Sequence, residues 1–154
     1  MTAQLTLWVD ADACPRDVKD LVYRASVRLR VRTVLVANGN LTIPRSEYIS
    51  TVRVAHGLNV ADQHIVNATK PGDVAITADI PLAAELVPKG VTVIDPRGEL
   101  FTEENIQERL SIRNFMQEMR DSGVPTVGPK AFDARARQEF ANALDRVLTR
   151  ALRG

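Results

Sequence analysis

Five aspartates in this chain fall where an apolar run stops or a helix-like segment begins. Asp10 closes the run at residues 5–9, and Asp12 follows two residues later. Asp79 closes the run at 73–78, Asp95 closes the run at 91–94, and Asp62 stands in the first turn of a helix-like segment from Val60. Carboxylates gathered at one place repel one another, so they need a compensating cation or must take up protons. Hard oxygen donors of this kind suit Mg²⁺ or Mn²⁺. Such a cation polarises a phosphoryl oxygen and acidifies a bound water, and a pair of them can hold both the attacking and leaving oxygens of a phosphodiester. A set without thiolates, and with little histidine, argues against zinc. The candidate metal ligands are therefore Asp10, Asp12, Asp62 and Asp79, with Asp10, Asp12 and Asp79 as candidate catalytic groups. Candidate substrate-binding residues are Asn38, at a predicted strand end, Thr77, two residues before Asp79, and Lys130, in a Gly-Pro loop.

Each of these residues has a second reading. Asp10 and Asp12 could cap the helix that Pro15 opens. Asp62 could favour a helix N-terminus through the dipole, Asp79 could cap the helix carrying Pro81, and Asp95, before Pro96, could start a turn. Thr77 could be a plain strand threonine and Asn38 a turn residue. Several aspartates at one predicted edge carry more weight than any one of them.

The elements that must bring them together alternate along the chain. Strand-like runs are read at residues 5–9, 31–37, 48–55, 73–78 and 91–94, mostly apolar and rich in β-branched side chains. Helical spacing places Val18, Leu21, Val22, Ala25 and Leu29 on one face, and further short helices are read at 60–69 and 81–87. Nearly continuous apolar strands alternating with helices predict an α/β fold: a single parallel sheet of about five strands covered by helices on both faces. Two more helices are expected at about 103–121 and 133–152, packed on the same domain, with Ile106, Leu110, Phe115 and Met119 as core candidates in the first. The loop between them, at 122–130, holds two glycines and two prolines. In such a sheet ligands bind beyond the carboxyl ends of the strands, where the strand order reverses. That edge is where the aspartates fall.

Composition narrows the setting. The chain has 154 residues, which suits one domain. Its net charge of +1 gives no global field toward nucleic acid or membrane. Residues 16–53 nevertheless hold eight basic against three acidic side chains, a surplus that could meet phosphates or simply cover a solvated face. The single cysteine, Cys14, excludes an intrachain disulfide and fits a reducing, cytoplasmic setting. No secretory signal or membrane-spanning run is read. Trp8 is expected in the core, Cys14 is expected to be buried packing, and His64 is expected to point away from Asp62. Arg146, Arg150 and Arg153 follow helical spacing, as a basic strip or a solvated face. Oligomeric state stays open.

The segments Val9-Asp10-Ala11-Asp12-Ala13-Cys14-Pro15, Ala61-Asp62-Gln63-His64-Ile65-Val66 and Ile76-Thr77-Ala78-Asp79-Ile80-Pro81-Leu82-Ala83 resemble the YaiI/YqxD family, also named UPF0178. Pro96-Arg97-Gly98 and Gly128-Pro129-Lys130 resemble it too, and the likeness runs from about residue 5 to about residue 144. This bacterial family is grouped with PIN-like domains, so the resemblance implies a Rossmann-like sheet with acidic residues around Mg²⁺ or Mn²⁺. On that pattern Asp10 matches the first-strand aspartate, Asp62 the acidic residue opening the central helix, and Asp79 the aspartate ending the fourth strand. Asp12 is the extra carboxylate of the family's Asp-x-Asp, and Asp95 matches no motif.

A divalent-metal-dependent nuclease or phosphodiesterase acting on RNA or DNA is the leading expectation. A non-catalytic module binding nucleic acid or protein is the alternative. A phosphatase resembling the haloacid dehalogenases, with Asp10 as nucleophile and Asp12 as acid/base, ranks below both: it expects a well-placed lysine and a late acidic pair.

Overall fold

The computed structural model describes residues 4–57, 59–128 and 131–153. In chain order the elements are β1 (Thr6–Asp10), α1 (Arg16–Leu29), β2 (Arg32–Ala37), β3 (Ile49–Arg53), α2 (Val60–Ala68), β4 (Val74–Ile76), α3 (Ile80–Leu86), β5 (Thr92–Ile94), β6 (Leu100–Phe101), α4 (Ile106–Asp121) and α5 (Ala134–Arg153). The strands form one sheet in the order β3-β2-β1-β4-β5-β6. The first five are parallel, and β6 runs antiparallel to β5.

The α/β alternation stands as expected, with one correction to the strand count. Leu100 and Phe101 return beside β5 as a sixth, antiparallel strand. Two residues carry no periodicity from which a strand can be read. The turn before them is built by Asp95, whose carboxylate accepts the backbone N–H groups of Arg97 and Glu99, each at 2.9 Å. Asp95 is thus a turn residue, the simpler of its two readings.

The strands are apolar along their length because both faces of the sheet are covered. On one face Leu7, Val9 and Leu35 pack against Val18 and Val22 of α1 and Phe140, Leu144 and Leu148 of α5. On the other, Val34, Val36, Ala75 and Val93 pack with Ile65 of α2, Leu82 and Leu86 of α3, and Ile106 of α4. Helix α5 comes close to the turn after β5: a Cβ added to Gly98 would sit 2.8 Å from the carbonyl oxygen of Glu139, and the residue has φ +92°. Only glycine suits that backbone and that approach.

Two core expectations need adjustment. Phe115 is 58% exposed, because α4 buries its first turn, at Ile106, and little beyond. Trp8 is half-buried at the edge of the second core layer, and its indole N–H donates to Asp73 at 3.1 Å. No helix among the described residues is long and apolar enough to cross a membrane.

Candidate functional site

Strand order reverses between β1 and β4: the chain winds from β1 outward to β3, then returns to lay β4 on β1's other side. Beyond the carboxyl ends of these two strands the helices diverge and leave a crevice. A cleft of about 340 Å³ lies there, bordered by Asp10, Asp12, Asn38, Asp62 and Asp79 among others. The four aspartates come from separate places in the chain. Asp10 ends β1, Asp12 sits in the short 3-10 turn Ala11–Ala13, Asp62 is in the first turn of α2, and Asp79 precedes α3.

Hydrogen bonds orient three of them. The Thr77 hydroxyl donates to Asp10 at 2.9 Å and accepts the backbone N–H of Asp79 at 3.0 Å. One side chain thereby ties the ends of β1 and β4 to the start of α3. Thr77 is 2% exposed, so its role is to hold a carboxylate. Asp12 accepts the backbone N–H of Asn38 at 2.8 Å, which joins the β1 end to the β2 end. Asp79 accepts the N–H of Leu82 at 3.0 Å and caps α3, with Pro81 in the first turn. Asp79 therefore borders the cleft and caps a helix at once. The capping reading fails for Asp10 and Asp12: the residue before α1 is Pro15, and no side chain caps it.

Asp10 is 7% exposed, and burial raises its pKa, partly offset by the Thr77 hydrogen bond; Asp79 and Asp12 raise it further. Asp62 is pushed up to about 7, first by burial, then by a hydrogen bond with Asp79, then by the negative charges of Asp79, Asp10 and Glu85. A raised Asp62 is the response of a partly buried carboxylate crowded by others without a counter-charge. Among the described residues, no three acidic, histidine or cysteine side chains are already gathered into a ready ligand set for a metal ion.

Asp62 leads to a pH prediction. A carboxylate whose folded pKa exceeds its unfolded value binds protons more tightly in the folded state. Stability contributed by Asp62 is therefore fully present at low pH and lost as pH rises through about 7. Asp10, raised as well, acts in the same direction. In EDTA, Tm should fall between pH 5.5 and 7.5 through these groups. Asp62→Asn should raise Tm at pH 7.5 and flatten its pH dependence. Thermal melts of both proteins across this range test it; an unchanged slope in the variant would sink the idea.

Other candidates fall outside the cleft. Cys14 is buried and its thiol is pushed up to about 12, mainly by burial, so it is packing rather than a nucleophile. The His64 ring lies 6.2 Å from Trp8, packing α2 toward β1. Lys130 lies outside the described residues. Sequence reading missed the cleft's small-residue wall of Ala13, Ala55, Gly57 and Ala61, together with Asn59. These are small or turn-forming residues without reactive groups, so their types point to no chemistry when read along the chain.

The family model described as "Uncharacterized BCR, YaiI/YqxD family" matches residues 8–150. A UPF0178 protein of Myxococcus xanthus is 62% identical over 146 residues, covering 95% of each chain. Similar proteins of the same name occur in Syntrophobacter fumaroxidans, at 56% identity over 95% of each chain, and in Dechloromonas aromatica, at 51% over 95% of this chain and 97% of the relative. No solved structure matches the chain significantly.

Proposed function

Because the chain belongs to the YaiI/YqxD family, which names no reaction, we propose from the site itself that it is a divalent-metal-dependent phosphodiesterase acting on RNA or DNA. The observation that carries this reading is the convergence of Asp10, Asp12, Asp62 and Asp79 on one cleft, with Asp62 driven toward neutral pH by burial and then by its acidic neighbours. A cation would remove that repulsion. Mg²⁺ commonly takes only one or two carboxylates and keeps several waters, so the lack of a ready three-ligand set is compatible with it. One or two carboxylates from among Asp10, Asp12, Asp62 and Asp79 would hold the ion directly, with the others acting through its waters, and its chemistry when bound would be Lewis-acid polarisation of a phosphoryl oxygen and activation of water.

The chain's own residues do the positioning. Thr77 fixes the rotamer of Asp10, and the Asn38 backbone fixes Asp12. Asp62, titrating near neutrality, can carry or release a proton at the cleft. The wall of alanine and glycine leaves room for a sugar-phosphate backbone and offers no stacking surface for a base. The strand order and the places of Asp10, Asp62 and Asp79 support the PIN-like assignment. No lysine is among the described residues lining the cleft, which weighs against the haloacid-dehalogenase-like phosphatase.

The test is cleavage of end-labelled single-stranded RNA and DNA, and of duplexes, in Mn²⁺ or Mg²⁺ against EDTA. Products that require metal and disappear with Asp10→Asn are expected. Intact substrates in every condition, with the protein folded, would overturn the reading. Retained oligonucleotide binding in that case would favour a non-catalytic module, the reading that the incomplete ligand set also suits.

A further inference from the structure

The last two turns of α5 carry a feature the carboxylate cleft does not use. Arg146, Arg150 and Arg153 are exposed and, with Asp145 and Thr149, border a shallow groove of about 540 Å³. Arg146 and Arg150 are four residues apart, and Arg150 and Arg153 three, spacings at which like charges on a helix repel. None of the three makes a hydrogen bond or ion pair among the described residues. The groove's one acidic side chain, Asp145, is bonded to Arg28 of α1 at 3.0 Å. The helix dipole accounts for cations in the last turn, Arg150 and Arg153, but its effect has faded by Arg146.

We infer that this strip is a phosphate-backbone contact surface for nucleic acid, remote from the cleft. Its cations are all arginine, whose planar forks match phosphate oxygens two at a time. Seven residues of helix span about 10 Å, the axial length of about three phosphates along one strand of a duplex. A lipid surface fits less well. An interfacial helix must expose its apolar face, and α5 buries Phe140, Leu144 and Leu148 on the sheet. The placement follows from two contacts: α5 meets Gly98 just past β5, beside Glu139, and meets Arg28 near the end of α1. Since α1 starts at the cleft and is about 20 Å long, the strip lies toward the opposite end of the sheet. The inference stands whether or not the cleft is catalytic.

Fluorescence anisotropy in EDTA tests it, with labelled 20-nucleotide RNA and a 20-base-pair DNA duplex over roughly 50–200 mM salt. The proteins are the wild type, an Arg146→Gln/Arg150→Gln/Arg153→Gln variant, and Arg113→Gln/Arg120→Gln as a charge control on the exposed face of α4. Glutamine is a good helix former, and relief of the repulsion offsets the dipole interaction lost in the last turn, so the variant should fold with a Tm close to that of the wild type. The triple variant is expected to bind at least tenfold more weakly at the lowest salt. Its plot of log affinity against log salt should be shallower by about 2 to 3, close to 0.9 for each contact removed. The α4 control should keep the wild-type slope. An unchanged slope in the folded triple variant overturns the inference, as does a wild type that binds neither nucleic acid. Arginine-dependent binding to phosphatidylglycerol vesicles without nucleic-acid binding would overturn it in favour of a membrane surface.

Discussion

Mn²⁺ titrated into the metal-free protein should bind saturably, and the Asp10→Asn/Asp79→Asn double variant should lose that binding and any metal-dependent hydrolysis with it. The substitutions are chosen to spare the fold. Asparagine keeps the size of aspartate, and its carbonyl can still accept from Thr77 at position 10 and from the Leu82 N–H at position 79. What disappears is two negative charges in a cleft that already crowds four carboxylates. Divalent cations are held by charge as well as by donor number, and an amide oxygen supplies only the second. Without metal, the variant should melt at the same temperature as the wild type or higher, because a charge at buried position 10 and the repulsion that adds to the burial of Asp62 are both removed. Calorimetry, with thermal melts as the folding control, separates the outcomes. Binding that persists in the double variant would move the metal elsewhere. A wild type silent at millimolar Mn²⁺ and Mg²⁺ would leave the binding module as the leading reading, unless a substrate phosphate completes the coordination. Thr77→Val should act through the same carboxylate: it removes the hydroxyl that orients Asp10, and supporting groups of this kind are commonly worth about 10–100-fold in metal affinity.

The second large effect is on stability, at the other end of the sheet. Asp73 is buried just before β4 and gathers three donors. It accepts the Thr6 backbone N–H at 3.0 Å, the Trp8 indole N–H at 3.1 Å and the Lys70 backbone N–H at 2.9 Å. The start of β1, the start of β4 and the turn after α2 all converge on this one side chain. Asp73→Ala should cost about 3 kcal/mol, since each buried donor left unsatisfied costs roughly 1–3 kcal/mol and water can reach some of them. For a domain of this size that corresponds to a fall in Tm of about 6–12 °C. Asp73→Asn should lose less, about 2 kcal/mol, because one oxygen remains while the amide group faces donors it cannot accept from. Urea denaturation with a shared m-value measures both. An alanine variant within about 0.5 kcal/mol of wild type would show that these three contacts carry no net stability.

Asp73 illustrates where reading along the chain stops. It looked like the first residue of a strand, and nothing in its neighbours announced three partners, two of them long-range. Its donors lie at Thr6, Trp8 and Lys70, two of them more than sixty residues away. Thr77 is similar: a buried threonine and a site threonine read alike until Asp10 and Asp79 are seen on either side of one hydroxyl. Phe115 erred the other way. Helical spacing placed it with Ile106 and Leu110, but α4 seats little more than its first turn and leaves Phe115 exposed.

The sequence by itself determined the alternation of strand and helix, because apolar runs with β-branched side chains and helical spacing are local signals. It also determined that aspartates stand at strand ends, because a strand covered on both faces must turn polar where it leaves the core. Those two facts, with the shared segments, were enough to identify the family. Only the tertiary structure decided which strands are neighbours, and so that Asp10 and Asp79 share the crevice at the point of reversal while Asp95 turns away into a hairpin. Only it decided the protonation of Asp62, which depends on burial and on Asp79, Asp10 and Glu85, none adjacent to it in the chain. Desolvation and Coulomb repulsion act through space over a few ångströms, and the chain order does not record those distances.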